Sequence, residues 1–154
     1  MSTATSTRPR VEYRRQKKAN AAMFALHEAV ANGPLEAGLL DLVRIRASQI
    51  NGCAFCLDLH VRDAREGGEA AQRLDVLAGW REAPFFSDRE RAALAFTEAV
   101  TLVAGNGVPD AVLEEAETWF DRDELATLLF AVAEINAWNR LAVTARTPIA
   151  ERRS

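Results

Sequence analysis

Both cysteines of the chain and one of its two histidines fall within residues 41–63, DLVRIRASQINGCAFCLDLHVRD. Cys53 and Cys56 form a C-x-x-C, and His60 follows Cys56 by four positions. A helix beginning near Cys53 would set all three side chains on one face. Asn51 and Gly52 interrupt the preceding helical pattern, with Gly52 as the entry to a new helix and Cys53 in its first turn. Unpaired backbone N–H groups and the helix dipole favour an anion there, and a thiolate is such an anion. In a C-x-x-C at a helix start a cysteine pKa can fall from about 8.5 to roughly 3.5–7.5, so the nucleophilic form becomes abundant at neutral pH. Once one sulfur is oxidised to a sulfenic acid, its partner can condense with it to a disulfide. His60, with an ordinary pKa of about 6.5, can take a proton from a thiol and return it to a leaving hydroxide or alkoxide.

The same residues admit plainer readings. A lone C-x-x-C can be two small core residues, and His60 a satisfied core histidine. A structural zinc site needs four ligands, whereas this chain offers two cysteines and His60, with His27 distant in sequence. A Cys2His site completed by water stays open on spacing alone. No metal and no cofactor are expected.

RASQINGCAFCLDLHVRDA resembles the core motif of the carboxymuconolactone decarboxylase superfamily, in its alkylhydroperoxidase D-like (AhpD-like) branch. EGGEAAQRLDVLAGWREAPFFSDRERAALAFTEAVT and AEINAWNRLAV resemble further segments of that branch in the same order, so the resemblance covers most of the chain after Glu12. It implies an all-α, AhpD-like bundle of about six to seven helices, assembled as a homotrimer or homohexamer. It also implies a thiol-dependent hydroperoxide reductase in which Cys56 attacks the peroxide, Cys53 resolves and His60 relays protons. The branch's acidic residue, usually Glu, stands twelve positions before the first cysteine, where this chain has Asp41. Asp is one methylene shorter, so contact with His60 calls for a bridging water. Where some peroxidases of the branch have a histidine between the cysteines, this chain has Phe55, and slower or different peroxide chemistry is expected. The partners implied are a hydroperoxide and a protein or small-molecule dithiol reductant. The alternative within the same chemistry is a dithiol/disulfide oxidoreductase or redox sensor. Outside it stands a non-catalytic oligomeric or metal-binding protein. Lactone decarboxylation is disfavoured, because proton-transfer chemistry has no evident need for a C-x-x-C.

At 154 residues the chain is the size of one domain, and 49% apolar residues with only 8 Gly and 5 Pro argue for helices. The expected organisation is a flexible arm over residues 1–10, the helical domain over 11–146 and a loose tail over 147–154. A net charge of −3, with both signs interspersed, gives no nucleic-acid face and no polybasic membrane patch. Arg8, Arg10, Arg14, Arg15, Lys17 and Lys18 read as a solvated arm and first helical turn. Met1 to Pro9 has no apolar targeting segment, so a cytoplasmic location and cycling thiols are expected. The longest apolar run, 125–133, is cut by Glu134 and Asn136 and is too brief to span a bilayer. It is also apolar almost all round, which asks for cover on several sides and hence a homo-oligomer.

Periodicity and breakers predict helices over 11–31, 35–50, 53–66, 69–80, 87–104, 109–120 and 122–145. Ser87 and Glu90 form a capping box. His27 reads as a surface or packing residue, Asp41 and Arg44 as an ordinary i, i+3 pair that competes with the site role, and Asp58 and Arg62 as an i, i+4 pair. Asp63, one turn beyond His60, is a candidate to orient its ring. Trp80, Phe85 and Phe86 read as core or subunit contacts in preference to an apolar substrate entrance. Asn136, Trp138 and Asn139 read as structural.

Overall fold

Two helices start by the same device. Ser87 and Asp121 each accept a hydrogen bond from the backbone N–H three residues on, while Glu90 and Glu124 reach back to the cap's own N–H. Satisfying these orphan donors fixes the first turn without help from packing. In the computed structural model, which describes residues 10–152, these and the other elements make eight α-helices and two short 3-10 turns, with no strand among the described residues. The helices are α1 (Lys17–Ala31), α2 (Ala37–Asn51), α3 (Ala54–Glu66), α4 (Ala71–Asp75), α5 (Asp88–Thr101), α6 (Val103–Asn106), α7 (Asp110–Trp119) and α8 (Arg122–Ala145). Residues 1–9, most of the expected arm and with it Arg8, lie outside the described residues, as do 153 and 154.

One predicted helix is divided in two, which brings the count of α-helices to eight, and another gives way in part to a 3-10 turn. The predicted 69–80 helix is α4 followed by a 3-10 turn, Leu77–Gly79. Leu74, Leu77 and Trp80 are all buried, and their spacing of three is the 3-10 period, which turns all three inward where an α-helix would fan them out. The 87–104 helix breaks at Leu102 into α5 and α6. The predicted 11–31 helix starts later, at Lys17, after a 3-10 turn over Tyr13–Arg15. Arg10, just ahead of that range, is tied to the end of α8. The Arg10 N–H donates to the Ala145 carbonyl at 2.7 Å, and its guanidinium to the Thr144 carbonyl at 3.0 and 3.1 Å. These bonds satisfy carbonyls that a helix C-terminus leaves without partners.

α2 is the central helix. Leu39, Leu40 and Val43 pack into one cluster with Phe96, Leu128 and Val132, while Leu42 and Ile45 enter a second with Leu74, Leu77, Trp80 and Phe86. Trp80 and Phe86 are therefore core, as read from the sequence, and Phe85 alone of that trio is exposed. The Asp58–Arg62 pair does not form. Arg62 lies 3.3 Å from Asp63 and 3.9 Å from Glu66, and Asp58 pairs with Arg152 of the tail. On α8, Leu128, Ala131, Val132 and Ile135 face the core, whereas Leu129 (48% exposed) and Phe130 (57%) lie open together with Ala126 and Ala133. Among the described residues no helix is long and apolar enough to cross a membrane.

A buried polar network joins the end of α2 to α8. The Asn51 amide donates to the side-chain oxygens of Asn136 and Asn139, both at 2.9 Å. Asn139 donates to Ser48 Oγ at 3.0 Å, and Asn136 to Thr101 Oγ1 at 3.0 Å. This explains in contacts why two distant segments, RASQIN and EINAWNR, carry these polar residues on buried faces. Truncating Asn139, 1% exposed, strands buried donors and acceptors on both helices. Asn139→Ala is expected to lower unfolding free energy by about 1–3 kcal/mol, read as a lower urea midpoint at unchanged slope.

Candidate redox site

Gly52 ends α2 in the left-handed conformation, φ 65° and ψ 34°, which glycine alone adopts without a Cβ penalty. The Cys53 N–H then donates to the Ser48 carbonyl at 3.0 Å, and the chain turns directly into α3. Cys53 is the extended residue that caps α3, one position earlier than the first-turn placement expected of it. Its Sγ accepts the Cys56 N–H at 3.3 Å, and the two cysteines are joined as a disulfide. Cys56 occupies the first turn, and His60 follows one turn on along the same face.

All three are buried: Cys53 is 1% exposed, Cys56 3% and His60 7%. Cys56 and His60 nevertheless line one cavity of about 180 Å³, and Cys53 is not among the residues that line it. Phe24, Phe55, Leu59 and Trp138 give the cavity apolar walls, the Phe24 and Trp138 rings lying 5.2 Å apart. Tyr13 and Arg14, from the segment ahead of α1, also line it.

Burial, and after it the Arg44 charge, pushes His60 down to about 4, against opposing pulls from Asp63 and Glu134. The imidazole is thus neutral at pH 7 and available as a base. Reducing the disulfide would put an ionisable thiol one turn away on the same face, coupling the protonation of the two groups. Asp63 makes no hydrogen bond to the ring and acts on it only through charge, its own Oδ1 lying 3.3 Å from Arg62.

Asp41 does not meet His60. Its Oδ2 sits 4.0 Å from where a Cβ on Gly67 would lie, at the far end of α3. Gly67 is about 10 Å along the axis from His60 at about 1.5 Å per residue, and the histidine side chain leans the other way, toward the helix N-terminus. No hydrogen bond or ion pair among the described residues engages Asp41, so the expected pair with Arg44 is absent as a contact. Burial raises the Asp41 carboxyl above its usual range, with Arg44 pulling it back down and Asp63 and Glu69 adding to the rise.

The carboxylate that is built into this region comes from α8. Glu134, 1% exposed, lies 2.6 Å from His27 Nδ1 and accepts the Trp138 indole N–H at 3.1 Å, while its other oxygen is 3.6 Å from Arg44 Nη2. His27 lines the cavity with Cys56. Sequence reasoning took Glu134 only as the residue that ends an apolar run. A lone carboxylate on a helix that must be covered was itself the signal, because such a charge is buried only with partners. No group of three or more His, Cys, Asp or Glu that could hold a metal ion occurs among the described residues.

Fold and site together define a class: an all-helical protein with a buried C-x-x-C at a helix start and a histidine one turn beyond. The carboxymuconolactone decarboxylase family profile matches residues 17–99, and the chain belongs to that family, in its AhpD-like branch. The uncharacterized protein YdfG of Bacillus subtilis is 41% identical over 103 residues, 67% of this chain and 70% of that protein. The crystal structure of ATU0492, a protein of unknown function from Agrobacterium tumefaciens linked by name to antioxidant defence and AhpD, matches with a TM-score of 0.89. It is 37% identical, over 94% of this chain and 100% of that one. A peroxidase-related protein with an AhpD core from Ralstonia eutropha, 23% identical, shares the fold with a TM-score of 0.78 over 90% of this chain and 74% of its own.

The depressed His60 pKa carries a stability signature. Between about pH 6.5 and pH 4 the unfolded chain binds this proton and the folded chain does not, so stability is lost as pH falls through that window, by up to about 3 kcal/mol. Urea midpoints at about pH 7 and pH 5 are expected to differ less in His60→Gln than in the parent. Equal differences in the two proteins would contradict the assignment.

Proposed function

We propose that the protein is a thiol-dependent hydroperoxide reductase in which Cys56 is the attacking cysteine, Cys53 the resolving one and His60 the base. The observation that carries this is a single one: Cys56 and His60 line the same apolar cavity while Cys53 lies bonded behind it. His60 takes the Cys56 thiol proton. The thiolate attacks the terminal peroxide oxygen, the O–O bond breaks, and sulfur leaves as sulfenic acid while the alkoxide collects a proton and departs as an alcohol. Cys53 then displaces the sulfenic hydroxyl, which leaves as water, and forms the disulfide seen here. A dithiol, protein or small molecule, returns two electrons and two protons by thiol–disulfide exchange. This cycle suits a reducing, cytoplasmic setting. Asp41 is left out of the cycle, since a direct contact with His60 has no support in the geometry.

Apolar residues fill the position between the cysteines and much of the cavity wall. That favours organic hydroperoxides over hydrogen peroxide, and it keeps a second reading in view, a dithiol/disulfide oxidoreductase acting on another protein. Rapid thiol exchange without peroxide turnover would select the second.

Cys56→Ser is expected to abolish hydroperoxide consumption in the presence of a dithiol. Cys53→Ser should permit one turnover and then let Cys56 advance to sulfinic acid, detectable by mass. Turnover unchanged in Cys56→Ser would end the proposal. The open Leu129 and Phe130 face of α8 supports assembly as a homotrimer or homohexamer. Phe130→Glu should shift the mass in solution, by light scattering, toward the monomer.

A further inference from the structure

The cavity beside Cys56 holds a second imidazole that the cycle above does not use. His27 lines it from α1, while Cys56 and His60 line it from α3. An ionised carboxylate only accepts, so at 2.6 Å from Glu134 the His27 Nδ1 carries a proton and donates it, which leaves Nε2 as the nitrogen free for the cavity. Glu134 is itself held in place by the Trp138 indole N–H and by Arg44. An imidazole oriented by a buried carboxylate, lining the same cavity as a nucleophile, is an arrangement suited to moving a proton at a reacting oxygen.

We propose that His27, oriented by Glu134, donates the proton that the departing alkoxide needs when Cys56 attacks a hydroperoxide; this rests on the peroxidase reading above. In such a displacement the sulfur, the attacked oxygen and the leaving oxygen fall in line. The leaving oxygen is therefore on the side away from the sulfur. His60, one turn from Cys56 on the same helix, is well placed for the thiol proton and poorly placed for the alkoxide. A residue reaching the cavity from another helix has the better approach. The S–O bond forms as the O–O bond breaks; sulfur is oxidised to the sulfenic acid and the peroxide is reduced to RO⁻. The donor is the imidazolium form of His27, with Nδ1–H on Glu134 and a second proton on Nε2; transfer of that Nε2 proton gives ROH and leaves the neutral ring still bonded to Glu134. The His27 side chain is 35% exposed, so it regains its proton from solvent, to which His60 releases the one it took from the thiol. His27 is catalytic in this scheme, and Glu134 is a positioning residue.

The test uses leaving groups. Single-turnover oxidation of Cys56 is followed in the parent protein, His27→Gln and Glu134→Gln, with tert-butyl hydroperoxide and with peracetic acid. The first expels a strongly basic alkoxide that needs a proton; the second expels acetate, which does not. Gln at position 27 can still donate to Glu134, and His27 lies partly at the surface, so this variant keeps the fold even where a change at buried Glu134 does not. His27→Gln is expected to slow the alkyl hydroperoxide by about a hundredfold while peracetic acid changes only a few-fold, with Glu134→Gln, where folded, showing the same split more weakly. Equal slowing with both oxidants would mark a structural role and overturn the proposal, as would unchanged rates with both. A parent protein inert to both oxidants would instead overturn the peroxidase reading, and the His27 role with it.

Discussion

The geometry of the site hangs on the last turn of α2. Asn51 is pinned by two side chains of α8, and the next residue, Gly52, reverses the chain so that the one after it caps α3. Ser48, a turn earlier, takes a bond from Asn139 and also accepts the Cys53 N–H on its carbonyl. Apolar packing alone would tolerate a slide of α2 against α8, because hydrophobic contact is non-directional. Hydrogen bonds among buried amides do not tolerate it, since each displaced group would be left without a partner. The disulfide thus inherits its position from a polar lock that lies outside the site.

Electrostatics in the same interior are closely balanced. Arg44 and Glu134 are both buried and lie 3.6 Å apart, and Arg44 is the main charge acting on His60 and on Asp41. A buried ion pair of this kind yields little net stability once desolvation is counted. Its effect here is on arrangement: the carboxylate holds His27 and Trp138, both of which line the cavity, and the guanidinium adds to the burial that keeps His60 neutral.

Where local chemistry decided the outcome, the sequence was legible. The 122–145 helix has the limits its periodicity predicted, because the Asp121 capping box starts it within a single turn. The cysteine helix, its histidine one turn on and the core role of Trp80 and Phe86 were equally readable. The late start of the first helix was not, since Arg10, just ahead of it, is bonded to carbonyls at the other end of the chain. Nor was the pairing of His27 with Glu134, 107 positions apart, which no local pattern encodes. Asp41 was assigned by its place in a familiar motif. Spacing along a chain cannot tell which end of the next helix a side chain will meet, and here it meets the end beside Gly67.

One asymmetry of the pair has a kinetic meaning. Cys56 borders the cavity, whereas Cys53 is sealed behind the first turn of α3. In the proposed cycle the oxidant and the reductant would then both react at the cavity-side sulfur, Cys56. Sharing one sulfur would make them alternate, and the cycle would take the ping-pong form in which each visitor leaves before the next arrives.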